Sequence, residues 1–418
     1  MGAAGVATAP FAERDVWQAL GERLDVARFT PHLADYVEVR RFTPARSESY
    51  AIAANRCDLV YYRLSTTEAD TMEVMDGSRT VADLVVDHTR DSGDLDIAGV
   101  AELVRLLLQG DFLTQAYVDV PAMLDAALHP RPRWRQKLSE FVKTLSIEWS
   151  GAERLVVWLY RHLLRPLFNP AGGAATLALG LVGLAGFITV LGSHRFHLNT
   201  LSVGLGFVLL FVLNLAIIFI HELGHATVLV RYRSRVKSAG FRIYFGSPAL
   251  FIESSDALML DRRQRIIQAF AGPYFEFVAA GVASLFLWLF PHSGVAPILF
   301  RFCVLNYFVL ILNLVPLLEL DGYWILSDAL QMPDLRPRSL AFTRHELGRK
   351  LVRREHFTRS ETGLALYGTV GVIFTIFCFA IRVQGQSEAT VCASPLATSK
   401  DARGWTLRHT GKRRKCLA

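Results

Sequence analysis

The order of hydrophobic and polar positions divides the chain into a mixed front part and a longer apolar part. Up to about residue 170 the pattern is that of an ordinary globular protein. Beyond Gly172, predominantly apolar runs of about 20 residues recur, which is the length needed to cross a bilayer. The sequence therefore predicts a mainly α-helical fold, a polytopic bundle of about five transmembrane helices behind a soluble α+β domain. The predicted spans are 173–192, 201–225, 274–291, 297–317 and 363–383.

Strand and helix signals alternate in the front part. Aromatic and branched residues over 58–64 predict a β-strand, and Phe112 with Leu113 begins another. Ser65 and Thr80 have the positions of helix caps, and Gly110 has that of a helix stop. The predicted helices lie at 69–75, 81–87 and 97–109. This order predicts a winged-helix-like domain over 57–120. The preceding segment, 1–56, gives no clear fold.

Residues 121–171 predict a basic linker and an interfacial helix. Trp134 lies among basic residues, which suits an approach to a membrane, although a solvated linker is an equally good interpretation. The run 155–168 is apolar but contains two arginines and a histidine, so we expect it to lie in the membrane interface.

Basic loops predict the orientation of the spans. The loops 231–265 and 322–362 are rich in arginine, whereas 192–199 has one arginine and 291–297 has no lysine or arginine. The positive-inside rule then places both basic loops and the front domain in the cytoplasm of a multi-pass cell-membrane protein. The tail 384–418 is small and polar, which predicts disorder. Its basic end conflicts mildly with the external position that this topology gives it.

The charge and its distribution along the chain bear on whether a nucleic acid is a partner. The net charge is +7 and 52% of the residues are hydrophobic. The arginines cluster in the loops that flank the apolar runs, and 58–113 has more acidic than basic residues. Both observations speak against a nucleic-acid partner.

The most specific chemical pattern is His221-Glu222-Leu223-Gly224-His225, at the end of an apolar run. Positions i and i+4 share a helix face, so the two histidines can bind one metal ion. Glu222 is next to them, where a general base acts on a metal-bound water. A structural histidine pair is the alternative, but ionisable groups are costly at membrane depth and usually mark function there. The pattern predicts a zinc hydrolase embedded in a membrane.

A second copy of the pattern is incomplete. His345-Glu346-Leu347-Gly348-Arg349 has arginine in place of the second histidine and lies in a basic, polar stretch. We expect a solvated helix without a metal ion there.

A hydrolytic zinc site usually has three protein ligands. The second and fourth predicted spans end at the same membrane face, so Asp321 arrives at about the depth of His225. Pro316 and Gly322 near it indicate irregular backbone lining a polar cavity.

Other polar residues are weaker candidates. Glu319 could replace Asp321 as ligand, and Asn313 is the candidate for substrate or oxyanion contact. Glu253 and Asp256 follow a strand-rich loop, 241–252, that could hold substrate as an added strand. Two histidines are excluded because the predicted topology puts them at the opposite face: His194 and His197.

The combination of this motif with Asn313-Leu314-Val315-Pro316 and Leu320-Asp321-Gly322 resembles the site-2 protease family of intramembrane zinc metallopeptidases, over about 200–320. The resemblance implies that His221, His225 and Asp321 bind Zn²⁺ and that Glu222 activates water. Ala271-Gly272-Pro273 also resembles that family, but this chain has Phe275-Glu276 where the family usually supplies an asparagine. Glu276 either replaces a polar contact near the site or marks a different subfamily.

The front domain resembles the PqqD-like family, through its Asp76-Gly77 turn and its Leu-x-x-Gly-x-Phe-Leu ending. That resemblance implies binding of leader peptides in peptide-modification pathways. It places the chain in the branch associated with peptide maturation or export, and its partners would be a peptide or membrane-protein substrate and the bilayer.

Two further functions remain open. A non-hydrolytic peptide-binding or export scaffold could use the same fold, although a scaffold has no need of Glu222 beside three ligands. A metal transporter or sensor would need more carboxylates or histidines along the spans than the sequence has.

Overall fold

A computed structural model describes residues 26–45, 48–93, 95–115, 146–149, 151–196, 204–244 and 247–391. Side chains of 242–249 and 377–391 are not described. The predictions for the start of the chain, for most of the basic linker and for the tail from 392 lie outside the described residues. The chain splits into two compact units, a front unit that includes 49–132 and a membrane unit that includes 133–417.

The front unit contains a three-stranded antiparallel sheet with the strand order β1-β2-β3. The strands are β1 (Val37–Phe42), β2 (Tyr50–Asn55) and β3 (Val60–Ser65). The central strand is buried from Ala51 to Asn55, whereas β1 has exposed positions at Glu38 and Arg41. Small alanines in β2 leave room for the helices that cover the sheet.

Three helices follow the sheet: α1 (Thr66–Glu73), α2 (Val81–Ser92) and α3 (Ile97–Gln109). Reciprocal capping boxes begin the first two, Ser65 with Glu68 and Thr80 with Asp83. Their apolar faces bury Met72, Leu84 and Leu107 in one core with β2 and β3. The two predicted caps and the bounds of the third helix are confirmed.

The sheet crosses the domain boundary that the sequence analysis puts at residue 57. Both β1 and β2 lie in the segment left without a fold, because neither strand alternates regularly: charged residues interrupt the pattern of β1, and β2 is buried throughout 51–55. The predicted strand at Phe112 and Leu113 is a single bridge from Leu113 to Leu33. All three strands thus precede the helices.

The membrane unit begins with β4 (Ser146–Trp149) and α4 (Ala152–Leu159). A π-helical turn (Tyr160–Leu164) and a 3-10 turn (Arg165–Phe168) connect α4 to the first long helix. This segment is the predicted interfacial helix, and one side of it is buried at Val156 and Leu164.

Four described helices are long and apolar enough to cross a membrane. They are α5 (Pro170–Gly192), α6 (Leu205–Arg231), α7 (Arg262–Leu289) and α8 (Ala296–Leu314). The fifth predicted span, 363–383, lies within α12 (Arg359–Val391), but the side chains of its second half are not described. It stays a prediction.

Two predicted helix ends are wrong. His225 does not end its helix, since α6 continues to Arg231. Likewise α7 begins at Arg262, so that Ala271-Gly272-Pro273 lies inside the helix rather than at its start. The added part of α7 contains three arginines over 262–265, whereas α6 continues past the charged motif through the uncharged residues 226–230 to Arg231.

A second three-stranded sheet, β4-β5-β6, contains β5 (Ala239–Tyr244) and β6 (Ser247–Ile252), which confirms the strand-rich loop. Residues 255–259 form a short 3-10 helix. After α8 follow α9 (Asp321–Leu330), α10 (Leu335–Phe342), a π-helical turn (Thr343–Leu347) and α11 (Gly348–Arg353).

Candidate metal centre

The two histidines of the motif share one face of α6, as their spacing predicts. Their Nε2 atoms are 3.1 Å apart, and His225 is buried. A tetrahedral zinc ion with two imidazole ligands separates their nitrogens by about 3.3 Å, given Zn–N bonds of about 2.0–2.1 Å. The observed separation is therefore close to that of two ligands of one ion.

Asp321 is the third donor, supplied by the first residue of α9. Its Oδ2 is 3.1 Å from Nε2 of His221, and its Oδ1 is 3.4 Å from Nε2 of His225. The three donor atoms lie within 4.8 Å of one another, and no other such group occurs in the described part of the chain.

The partners of the two Nδ1 atoms determine which nitrogen of each histidine ring carries the proton. Nδ1 of His225 is 2.7 Å from the backbone oxygen of Gln268, and Nδ1 of His221 is 2.8 Å from Oε2 of Glu276. A carbonyl oxygen and a carboxylate only accept hydrogen bonds, so each Nδ1 carries a proton and donates. In a neutral imidazole the Nε2 atom then has a bare lone pair.

This arrangement fits a cation. Two lone pairs and a carboxylate pointing at one another are repulsive when nothing positive lies between them. Two histidines and one carboxylate, each ring held by a donor bond from its other nitrogen, form a donor set typical of catalytic zinc.

The histidines face α7 through residues that recur every four positions. Gln268, Gly272 and Glu276 lie on one face of α7 and turn toward the rings. A Cβ atom at Gly272 would collide with Nε2 of both histidines, so only glycine leaves room for them. On α6, Gly224 makes the matching approach, since a Cβ there would meet the Ala271 carbonyl.

Glu276 of α7 is buried, with 5% of its surface exposed, and it is held in place by a polar residue of α8, Asn306. Nδ2 of Asn306 donates to Oε1 of Glu276 at 3.0 Å, so both carboxylate oxygens accept a hydrogen bond. The Oδ1 atom of Asn306 has no partner among the described residues. The sequence left Glu276 as either a replaced polar contact near the site or a subfamily difference, and in the structure its carboxylate contacts His221. Asn306 was missed because a lone asparagine in an apolar run gives no pattern.

Asn313 lies beside Asp321. Its Nδ2 donates to Oδ2 of Asp321 at 2.8 Å, and its Oδ1 accepts from the Asp321 amide at 3.3 Å. Both ends of this amide side chain thus orient the third donor. The substrate or oxyanion contact expected for Asn313 has no support in this geometry.

Glu222 is half-buried, and β6 holds it in place. The backbone amide of Ile252 donates to its Oε2 at 3.0 Å. Within the described residues no hydrogen bond reaches Oε1, which leaves that oxygen for a proton.

The weaker candidates lie elsewhere. Glu319 pairs with Arg336 at 3.3 Å, and Glu253 pairs with Lys237 at 3.4 Å. Asp256 is buried and accepts from the backbone amide of Arg235 at 2.6 Å. Each has a structural partner in place of the predicted ligand or substrate role.

The structure also describes two of the histidines that were not predicted to bind metal. His194 is exposed in the turn after α5. His345 of the second motif copy is exposed in the π-helical turn after α10. His197 is outside the described residues.

Comparison with known proteins adds a partial match. A protein of Bacillus subtilis (strain 168) with the name "Putative peptide zinc metalloprotease protein YydH" is 27% identical to this chain over 128 residues. The match covers 30% of this chain and 48% of the relative, so the chain spans about half the length of the relative that it matches. No known family matches the chain, and no solved structure does. The chain is therefore similar, in one part, to a protein named as a peptide zinc metalloprotease.

Proposed function

We propose that this chain is a membrane-embedded zinc metallopeptidase of the site-2 protease type, which hydrolyses peptide bonds of a membrane-associated peptide or protein. The observation that carries the proposal is the convergence of two bare imidazole nitrogens and one aspartate, with a glutamate next in sequence to the first histidine. The name of the Bacillus relative supports the same reaction class.

His221, His225 and Asp321 would hold the zinc ion. When bound, zinc polarises the carbonyl of the peptide bond and makes a water molecule more acidic. The protein contributes the orientation of its own ligands: Gln268 and Glu276 fix the two rings, and Asn313 fixes the carboxylate.

Glu222 would move the proton. Its Oε2 is held by the Ile252 amide, so the carboxylate has a fixed direction when Oε1 takes a proton from water. The same oxygen would then give this proton to the leaving amine of the cleaved bond. Glu222 lies on α6, one of the four helices apolar enough to cross a membrane, and a position within a membrane would limit the access of bulk water to it.

The cellular setting is part of the proposal. The basic loops support a multi-pass protein of the cell membrane, with the front unit in the cytoplasm. Binding of a leader peptide by the front unit rests on its sequence pattern. Peptide maturation or export would then be the process served.

The test is Glu222→Gln in the full chain. The neutral amide cannot accept the proton, so we expect loss of cleavage, by at least about 100-fold, while zinc stays bound because no ligand has changed. Zinc is measured by elemental analysis of the purified protein. Cleavage is measured by comparing membrane and secreted peptides from cells that make either variant.

Glu346→Gln is the matched control, because it makes the same change within the second copy of the motif. It should leave both readouts unchanged. If Glu222→Gln leaves peptide processing intact while zinc is bound, the protein is a non-hydrolytic scaffold of the same fold.

A further inference from the structure

An arginine-lined cavity lies at one end of the membrane unit, apart from the metal centre. Its volume is about 480 Å³, between α4 with its following turn and the segment after α6. Five arginines from these two separate segments line it: Arg161, Arg165, Arg231, Arg233 and Arg235.

The positive charge of this cavity is not balanced by its described lining. Glu153 is the carboxylate there, and its Oε1 is 3.8 Å from Nε of Arg235. Five arginines and one glutamate leave a surplus of four positive charges. Arg161, Arg165 and Arg233 are exposed and have no ion pair with any described residue. Such a group of guanidinium ions is stabilised by an anion.

A second cavity, of about 590 Å³, adjoins the first and shares three of its arginines, Arg161, Arg165 and Arg231. Pro170, the first residue of α5, lines the second cavity. Arg231, the last residue of α6, lines both. The two cavities therefore lie beside the first residue of α5 and the last residue of α6, which are ends of two helices apolar enough to cross a membrane, so lipid headgroups would lie at this level if both helices do so.

The chemistry of the lining suits phosphate. Guanidinium groups bind phosphate oxygens in pairs of parallel hydrogen bonds, and basic pockets at span ends recognise anionic headgroups. Val157, Tyr160 and Val230 add a partly buried apolar wall, which suits the glycerol end of a lipid better than a free ion.

We propose that this arginine cavity binds the phosphate-containing headgroup of an anionic phospholipid. The assignment does not depend on the peptidase activity. An excess of arginine on one membrane side is common to many membrane proteins. This lining goes beyond such a general excess, because five arginines from two segments distant in sequence converge on one concave surface.

The test measures binding of soluble, short-chain lipids to the purified full chain at fixed ionic strength. The probes are dihexanoyl phosphatidylglycerol, dihexanoyl phosphatidylcholine, inorganic phosphate and a glutamate decapeptide. The test variant is Arg161→Gln with Arg165→Gln and Arg231→Gln. The control variant removes the same charge from exposed arginines outside the cavities, as Arg338→Gln with Arg344→Gln and Arg349→Gln.

We expect the wild-type chain to prefer phosphatidylglycerol to the other three probes. Each arginine near the membrane surface contributes about fivefold to this affinity, so the triple variant should bind on the order of 100-fold more weakly. The control variant should bind as the wild type does. If the triple variant does not purify as a monodisperse protein, Arg161→Gln and Arg165→Gln alone should each weaken binding about fivefold.

Three results would overturn the assignment. Equal affinity for inorganic phosphate would make the ligand a free ion. Preference for the glutamate decapeptide would make it an acidic peptide. If the control variant loses as much binding as the test variant, the overall positive charge of this side of the protein, and not the cavity, accounts for the binding.

Discussion

Glu276 illustrates how far single residues could be predicted. The spacing of His221 and His225 was enough to predict a shared donor face, because helix geometry brings i and i+4 together whatever the tertiary structure. The partners of their outer nitrogens could not be predicted in the same way. One is the Gln268 carbonyl, a backbone group that every residue has, and the other is a carboxylate on a different helix. Sequence marked Glu276 as unusual without giving its contact.

Glu276 should contribute to metal affinity through His221. Replacing Glu276 by leucine removes the acceptor of the Nδ1 proton, and loss of such outer partners typically weakens metal binding by about 10–100-fold. Zinc affinity of the purified chain, measured by competition with a chelator, checks this expectation.

Glu276→Gln is the conservative control. Its amide oxygen can still accept from His221, and the Asn306 side chain can turn its unpartnered Oδ1 toward the new NH₂ group. Zinc affinity should then stay within a few-fold of the wild type. If a folded Glu276→Leu chain binds zinc as tightly as the wild type does, Glu276 does not support metal binding through His221.

At the level of elements, the ends of α6 and α7 differ from those predicted from hydropathy. An apolar run indicates which residues lie in the membrane core, whereas a helix continues as long as its backbone hydrogen bonds do. Pro273 directly precedes the predicted span 274–291, and proline favours the first turn of a helix. It instead lies within α7, where its missing N–H leaves the Ala269 carbonyl without its usual donor.

The sheet of the front unit depends on a residue that the sequence analysis did not single out. Asn55, at the end of β2, is fully buried. Its Nδ2 donates to the carbonyls of Gly110 and Asp111 at 3.0 Å each, and its Oδ1 accepts from the amides of Cys57 and Asp58. One side chain thus connects the turn after β2 to the end of α3.

Asn55→Ala should lower the free energy of unfolding of the front unit by about 3 kcal/mol, because four hydrogen bonds are lost and the buried Gly110 carbonyl loses its donor. Faster amide hydrogen exchange in β2 and α3 of the full chain would register the loss. Glu102→Ala removes only an exposed pair with Arg105 and should leave stability nearly unchanged. Equal exchange rates in the two variants would contradict the assigned role.

For the whole molecule, the alternating directions of successive predicted spans place Asp321 at the depth of the histidines. In the structure its carboxylate oxygens lie 3.1 Å from Nε2 of His221 and 3.4 Å from Nε2 of His225. The shape of the joining segments could not be predicted in this way. The position of Glu222 against β6 depends on how a loop folds back, which no periodic pattern encodes.

The orientation of the membrane unit stays a prediction that labelling can test. Ser193 follows α5, and Ser360 lies at the start of α12 on the opposite side in the predicted topology. A membrane-impermeant maleimide added to intact cells should label Ser193→Cys and leave Ser360→Cys unlabelled, with the wild-type chain as background. The reverse pattern would invert the topology and place the front unit outside.

The central claim is that His221, His225 and Asp321 hold one metal ion, and zinc content measures it most directly. Elemental analysis of the purified wild-type chain should give about one zinc per chain, whereas His225→Ala and Asp321→Ala should lose most of it, since two ligands remain in each case. Glu319→Gln, a carboxylate change two residues from Asp321, should keep the full content. Zinc at the wild-type level in both ligand variants would contradict the account.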